Sequence, residues 1–266
     1  MKYAFVNGII LDGSRDMSPV SGKAVIVDGE KIEAIADAAK LPADCEIIDL
    51  GGKYLLPGLI NMHVHIPSSG KPKKGKTDYT KLAKLMQMGP VKLYVKDMMS
   101  RLVMDQLLSG TTTIRAVGGA QSFDTNLRNE INSGRKDGPR ILACDYAVSA
   151  PGGHMTGSVA LPANSPDEAA VMVYELSKHK VDWIKLMITG GVLDAEIPGE
   201  PGVLKMPAEY IKAACDRAHE LGYKVAAHVE GTEGLELALE YGVDSIEHGG
   251  KLSEKSRALF KKGMQR

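Results

Sequence analysis

Two histidines separated by one residue, His63 and His65, end an apolar run that follows Pro57. Side chains alternate across a β-strand, so residues i and i+2 point to the same face. Two neutral imidazoles on one face at a strand end can chelate a single divalent metal ion. A His-x-His pair is also compatible with partly buried histidines that only form hydrogen bonds, so the pair alone does not decide between the two interpretations.

Three further groups that can bind a metal each end a short apolar run. They are Lys185 in Trp-Ile-Lys-Leu-Met-Ile, His228 in Val-Ala-Ala-His-Val-Glu and His248 in Ser-Ile-Glu-His-Gly-Gly. Each is placed where a strand is expected to stop. In a barrel of alternating strands and helices, the strand ends and the loops after them form the active-site face. The spacing therefore predicts that these side chains converge with the His-x-His pair.

The elements that must position these residues are short strands alternating with helices after Pro57. Apolar strands are expected near 58–65, 111–117, 140–145, 183–188, 224–229 and 244–248. Helical periodicity is clearest at 95–108, 166–178, 207–221 and 253–262. This alternation predicts parallel strands joined by helices. Residues 1–56 instead carry short alternating runs separated by Asp-Gly turn signals, which predict a small β segment.

Several motifs resemble those of the amidohydrolase superfamily, the metal-dependent hydrolases built on a (β/α)8 barrel. They are Leu-Pro-Gly-Leu-Ile-Asn-Met-His-Val-His at 56–65, Gly-Thr-Thr-Thr-Ile-Arg at 110–115, Lys185 followed by Thr-Gly-Gly at 189–191, Ala-His-Val-Glu-Gly at 227–231 and Ile-Glu-His-Gly at 246–249. Gly-Gly-His-Met-Thr-Gly at 152–157 and Lys-Leu-Met-Ile-Thr-Gly-Gly-Val are most similar to one branch of the superfamily. This branch contains imidazolonepropionase-related proteins and Xaa-Pro or aminoacyl-Lys/Arg dipeptidases.

The resemblance implies that residues 1–56 form the N-terminal half of a small β-sandwich. It implies that residues 57–266 form an incomplete (β/α)8 TIM barrel with six of the eight βα units. The open strand edges would expose backbone groups and apolar surface unless a second copy or a complementing chain covers them. A truncated gene product, a fragmentary gene model and a deliberately split chain would all give this sequence.

The resemblance also implies a binuclear metal site, with zinc as the expected metal. His63 and His65 would hold one ion, His228 and His248 the second, and Lys185 would bridge both after carbon dioxide converts its amine to a carbamate. A lysine must be neutral before it can react in this way, and burial promotes the neutral form. The ions would activate a water that hydrolyses a C–N bond in a dipeptide or a cyclic amide. The family's eighth strand ordinarily supplies an aspartate that moves the proton, and without it weak or no turnover is expected.

Two further residues are candidate contacts to substrate. His154, in a Gly-rich loop after the third strand, is the candidate catalytic residue, expected either to hydrogen-bond a substrate carbonyl or carboxylate or to stabilise its own loop. Arg115, at the end of the second strand, could pair with a substrate carboxylate, but a structural salt bridge is the favoured interpretation. The loop at 189–203 carries three acidic side chains, which would favour a basic or amino-terminal substrate group.

Composition is typical of a soluble cytoplasmic enzyme. Apolar residues make up 44% of the chain and charged residues 25%, and 33 basic side chains balance 33 acidic ones. No nucleic-acid partner is therefore expected, and the basic run at 71–76 is interpreted as a solvated loop. No stretch is long enough to cross a bilayer, the start of the chain lacks a signal peptide, and the widely spaced cysteines indicate a reducing compartment.

Two alternative functions stay open. One is a mononuclear deaminase or imidazolone hydrolase, against which Lys185 counts because mononuclear relatives lack the bridging carbamate. The other is a non-catalytic fragment that binds metal or pairs with a complementary chain. Metal content discriminates among them, since about two ions per chain, lost in Lys185→Ala, would support the binuclear site.

Overall fold

The computed structural model describes residues 1–68, 85, 88–192 and 201–263. The chain divides into two structural units, Met1–Leu59 and Ile60–Arg266. The basic run at 71–76 lies outside the described residues, as do Asp194, Glu196 and Glu200 of the acidic loop. The interpretations of both segments therefore stay predictions.

The first unit is built from β-strands. They are β1 (Lys2–Val6), β2 (Ile9–Ile10), β3 (Lys23–Asp28), β4 (Lys31–Asp37), β5 (Cys45–Asp49) and β6 (Tyr54–Leu55). The larger sheet has the order β4-β3-β1-β5, and β2 pairs with β6 in a second sheet. β3 and β4 form an antiparallel hairpin whose turn contains Gly29 at a φ of 57°, a backbone conformation that favours glycine. Ala4, Ala24 and Ile26 form part of its small core.

The second unit alternates strands and helices. Its strands are β7 (Leu59–Val64, which begins at the last residue of the first unit), β8 (Thr111–Ala116), β9 (Arg140–Leu142), β10 (Ala147–Ser149), β11 (Ala160–Pro162), β12 (Ile184–Met187), β13 (Val225–Val229) and β14 (Ser245–His248). Its helices are α1 (Gly89–Leu108), α2 (Phe123–Asn132), α3 (Pro166–Lys178), α4 (Ala208–Glu220), α5 (Thr232–Glu240) and α6 (Glu254–Gly263). No helix in the described ranges is both long and apolar enough to cross a membrane.

The strands of this unit form two sheets, ordered β7-β8-β9 and β11-β10-β12-β13-β14. β8 pairs with β9 in parallel, and every pairing within the larger sheet is also parallel. The prediction of an α/β fold with parallel strands is therefore confirmed. All residues of β12 and β13 are buried, as expected of strands covered on both faces. Lys185 and His228 are the polar residues within these two apolar strands, and the expectation that Lys185 lies at a strand end was wrong, because it is the second residue of β12.

Two predicted boundaries were wrong. The strand expected at 140–145 ends at Leu142, and Asp145, the last residue of the predicted strand, adopts a left-handed φ of 54° that is incompatible with an extended strand. The chain then resumes as β10 and β11, which the sequence pattern did not predict. The helix expected at 95–108 begins at Gly89. Its first residues are exposed or half-buried, so apolar periodicity becomes readable only from Val95.

Helix α3 coincides with the helix predicted at 166–178, and its sequence explains the agreement. Ser165 caps its N-terminus, with its Oγ accepting a hydrogen bond from the backbone N–H of Glu168 at 3.1 Å. Pro166 occupies the first turn, where its missing N–H costs no helical hydrogen bond. Ala169, Val173 and Leu176 then recur at helical spacing and are buried.

A buried carboxyl group in the first turn of α2 gives a testable pH dependence. Asp124 is 0% exposed, and neither of its side-chain oxygens has a hydrogen-bond partner within the described part of the chain. Burial, followed by the negative charge of Asp145, raises the pKa of Asp124 well above its ordinary value. The folded chain thus holds this proton more tightly than the unfolded chain. The stability that the proton confers is complete below about pH 4 and is lost as pH rises through the folded-state pKa.

Asp124→Asn keeps the shape of the side chain but cannot ionise. We expect the variant to gain unfolding free energy over the wild type by a margin that grows with pH, at up to about 1.4 kcal/mol per pH unit. Urea unfolding at several pH values between about 5 and 9 measures this margin. Parallel pH profiles for the two proteins would contradict the assignment of a raised pKa to Asp124.

Candidate metal centre

The structure brings the predicted histidines of the second unit together in one cluster. The ring centroid of His63 lies 5.3 Å from that of His65 and 4.8 Å from that of His248. The ring of His248 also lies 4.8 Å from that of His228. These side chains come from positions up to 185 residues apart (248 − 63), so β7, β13 and β14 assemble the cluster.

Hydrogen bonds orient the first two imidazoles. The Nδ1–H of His65 donates to the carbonyl oxygen of Gly118 at 2.9 Å, and the Nδ1–H of His63 donates to Oε2 of Glu247 at 2.8 Å. Because a carbonyl and a carboxylate only accept, the proton of each neutral ring sits on Nδ1 and the lone pair on Nε2. Burial lowers the pKa of His65 to about 4, which keeps its ring neutral. A neutral ring with a free Nε2 is the form that binds a metal ion.

Lys185 is a fully buried polar side chain near the cluster. It is 1% exposed, and its Nζ has no hydrogen-bond partner in the described ranges. Burial lowers the pKa of Lys185 to about 8, although the nearby charge of Glu247 opposes the shift. Its own charge in turn contributes to lowering the pKa values of His65, His228 and His248. An amine without a partner that is readily neutralised fits the carbamate-forming lysine of a metal centre.

Strand geometry explains how the other two histidines reach the cluster. In the parallel register, His228 of β13 lies beside Glu247 of β14 and Met187 of β12, so these side chains share a face with Lys185. His248 would point to the opposite face by alternation, but its backbone has a left-handed φ of 67°. Burial, then the charge of His154, lowers the pKa of His228 to about 2, so this ring is neutral.

Two acidic residues near the cluster were missed in the sequence analysis. Glu230 lies with its Oε1 3.7 Å from Nε2 of His228, and His228, Glu230 and His248 can each offer one ligand atom within 4.8 Å of the others. Glu247 contacts His63. The signal for Glu230 was present, because it follows His228 by two residues just as His65 follows His63.

Arg115 is buried and engaged by protein groups. Its guanidinium forms a salt bridge with Glu247, donates from Nε to the carbonyl oxygen of Met62 at 2.8 Å, and lies 4.7 Å from the ring centroid of Trp183. This is the structural salt bridge favoured from the sequence. Burial alone would raise the pKa of Glu247, but the hydrogen bond from His63 and the charges of Lys185 and Arg115 help lower it to about 2. A role for Arg115 towards a substrate carboxylate stays a prediction.

His154 also joins the cluster. Its ring stacks on that of His228 with centroids 4.1 Å apart and an angle of 13° between the planes. Gly191 fits closely against both rings, because a Cβ there would lie 2.6 Å from Cε1 of His154 and 3.0 Å from Cε1 of His228. This placement is compatible with both predicted roles of His154, the substrate contact and the loop contact.

Gly191→Ala is expected to displace these two rings and to weaken zinc binding by at least about tenfold, or 1.4 kcal/mol. The adjacent Gly190→Ala is a matched control, since a Cβ at Gly190 meets nothing closer than Cε of Lys205 at 3.5 Å. Competition with a chromophoric chelator measures zinc affinity in both variants. Equal affinities in the two alanine variants would contradict the close packing of Gly191 against the site.

Comparison with known protein families gives two matches along the chain. Residues 54–264 match the Amidohydrolase family and residues 2–55 match the NagA composite domain. The chain therefore belongs to the amidohydrolase family, which confirms the resemblance noted in its motifs.

Several relatives align with most of the length of this chain. An imidazolonepropionase of Paenarthrobacter aurescens is 23% identical over 243 residues, covering 87% of this chain and 55% of the relative. A putative prolidase from Bifidobacterium longum has 30% identity and a TM-score of 0.77, covering 98% of this chain and 57% of that one. A Xaa-Pro dipeptidase with bound methionine has 29% identity and a TM-score of 0.77, covering 99% and 65%. The chain spans about half the length of the curated relatives it matches over most of its length.

Proposed function

We propose that the chain carries the metal-binding part of an amidohydrolase that hydrolyses a C–N bond with a metal-activated water. The observation that carries this proposal is the buried amine of Lys185, which has no hydrogen-bond partner in the described residues and lies among neutral imidazoles. An uncompensated buried amine is costly to stability, so a functional reason for it is expected. Membership of the amidohydrolase family supplies the reaction class.

We assign His63 and His65 to one ion, His228 and His248 to a second, and Lys185, as a carbamate, to a bridge between them. The donor set of imidazole nitrogens and carbamate oxygens suits zinc. When bound, the ions supply Lewis acidity and lower the pKa of a shared water towards neutrality.

The chain's own side chains prepare the site for this chemistry. The Nδ1 hydrogen bonds of His63 and His65 select, for the neutral form of each ring, the tautomer with its lone pair on Nε2. Burial lowers the pKa of Lys185 to about 8, which increases the fraction of neutral amine that can react with carbon dioxide. His154, stacked on His228, is positioned to donate a hydrogen bond to a substrate carbonyl or carboxylate at the cluster.

The substrate class follows from the relatives. Solved structures similar to this chain include a putative prolidase and a Xaa-Pro dipeptidase, and curated relatives include imidazolonepropionase. We therefore propose a dipeptide, with a cyclic amide as the second candidate. The eighth-strand aspartate implied by the family is not assigned to any of these 266 residues, so we expect weak turnover from this chain alone.

We further propose that residues 57–266 correspond to six of the eight βα units of a TIM barrel and residues 1–56 to half of a β-sandwich. The parallel sheets and a TM-score of 0.82 to an amidohydrolase of which the chain covers 64% support this assignment. β7 is the outer strand of its sheet in the described chain, and its Ile60 and Met62 are 62% and 46% exposed. A second copy of the chain or a complementing chain would cover this exposed strand edge.

Metal content and activity test the proposal together. The purified chain, reconstituted with zinc and bicarbonate, is expected to hold about two ions and to cleave an Xaa-Pro dipeptide slowly. One ion per chain, with activity on an imidazolone or an amine, would instead support the mononuclear alternative. No bound zinc would overturn the proposal in favour of a non-catalytic fragment.

A further inference from the structure

We infer that Glu247 is a positioning residue that sets the tautomer and the orientation of the His63 ring. This inference rests on the proposed function, because it concerns how a metal ligand is presented. Oε2 of Glu247 accepts the Nδ1–H of His63 at 2.8 Å. The Glu247 side chain is only 6% exposed, against 29% for His63, so the buried carboxylate is the fixed partner of the pair.

Glu247 is itself held in place by two donors. Its Oε1 accepts hydrogen bonds from Nη2 of Arg115 and from Oγ of Ser245, the latter at 2.9 Å. The same Nη2 also donates to Oγ of Ser245 at 3.0 Å. Oε1 of Glu247 thus accepts hydrogen bonds from both Arg115 and Ser245, and Oε2 remains to accept from His63.

The same network holds the backbone next to His63. Nε of Arg115 donates to the carbonyl oxygen of Met62, the residue before His63 in β7, while the ring of Trp183 lies against the guanidinium. Arg115 comes from β8 and Glu247 from β14, at the outer end of the other sheet. The network therefore fixes both the main chain and the ring of His63 from two separate strands.

His65 provides an internal comparison. Its Nδ1–H donates to a backbone carbonyl, that of Gly118, which no side-chain substitution removes. The Nδ1–H of His63 instead donates to a side chain, the carboxylate of Glu247. A neutral imidazole without such a tether exchanges its proton between the two nitrogens and can present N–H, rather than a lone pair, to an ion. Partners of this kind typically contribute about 10–100-fold to metal affinity.

Glu247→Gln is the sharpest test because glutamine keeps the shape but has one acceptor oxygen. We expect Arg115 and Ser245 to keep that oxygen, so that the amide NH2 faces Nδ1 of His63. Nδ1 must then accept, which moves the proton of His63 to Nε2. Long-range 1H–15N correlation spectra of the metal-free protein report the tautomer of each histidine. His63 should switch in the variant while His65 keeps its wild-type pattern.

Zinc affinity is the second readout, and we expect one of the ions to bind at least about tenfold more weakly in Glu247→Gln. Asp244→Asn is the matched control, because Asp244 pairs with Nε2 of His219 at 3.0 Å near the start of the same strand but away from the cluster. An unchanged His63 tautomer, or zinc affinities within about twofold of wild type, overturns the role of Glu247 while the proposed metal site stands. If the wild-type protein binds no zinc, the proposed function fails and this role fails with it.

Discussion

Replacing Lys185 with methionine is expected to reduce bound zinc from about two ions per chain to one or none. Methionine is unbranched and of similar length, but it has no amine that carbon dioxide can carboxylate. The rate of any hydrolysis should fall by more than about 100-fold. Loss of a residue that only supports a metal ligand already costs up to about 100-fold, and Lys185 is proposed as a ligand itself. Elemental analysis of the dialysed protein and a dipeptide assay measure the two effects.

The unfolding free energy of Lys185→Met distinguishes the loss of a metal ligand from damage to the fold. In the metal-free wild type, the buried Nζ of Lys185 has no partner among the described residues. Its removal should leave the unfolding free energy unchanged or raise it by about 1–3 kcal/mol, because an unsatisfied buried polar group is destabilising. Lys212→Met is the control, since Lys212 is a surface lysine with a side chain 58% exposed, paired with Asp216. This control should retain both ions.

The carbamate can be observed directly. Protein reconstituted with zinc and 13C-bicarbonate should show a carbamate carbon resonance that is absent from Lys185→Met. Retention of two ions by Lys185→Met would contradict the bridging role. A wild type that binds two ions without the resonance would show that the amine itself, or another residue such as Glu230, completes the site.

The positions of most strands in the second unit could be predicted from the sequence. β12 and β13 are apolar throughout except for Lys185 and His228, and continuous burial makes such runs readable. The interruption after Leu142 was not predicted, and the left-handed φ of Asp145 within the expected strand is visible only in the structure. Likewise, the first turn of α1 is too exposed to show an apolar stripe.

The convergence of His63, His65, His228 and His248 was predictable because each of these histidines lies in or next to a strand, but the carboxylates that support them were not recognised. Glu247 was quoted only as part of the Ile-Glu-His-Gly motif and was given no role, although alternation along β14 gives it and His248 opposite faces. Both nevertheless approach His63, and the backbone of His248 at the strand end has a left-handed φ of 67°. The lowered pKa of Lys185, about 8, arises from burial by elements distant along the chain, so the sequence indicated the direction of this shift but not its size.

Zinc is expected to stabilise the whole second unit. The proposed ligands come from the ends of β7, β13 and β14 and from within β12, so they are close together only in the folded chain. A ligand that binds only the folded state adds about 4 kcal/mol of unfolding free energy at a free concentration about 1,000 times its dissociation constant. Thermal or urea unfolding of the metal-free protein with increasing zinc measures this gain, and a chelator should reverse it.

The specificity of this stabilisation tests the site. Magnesium prefers oxygen ligands in an octahedral arrangement, so it should give little of the gain at the same concentration. His228→Asn should lose most of the zinc-dependent part, because burial keeps His228 neutral and its ring lies against those of His154 and His248. His219→Asn, on a partly exposed helical histidine outside the cluster, should retain it. Equal zinc-dependent stabilisation in both variants would place the bound ion elsewhere, because only His228 belongs to the cluster.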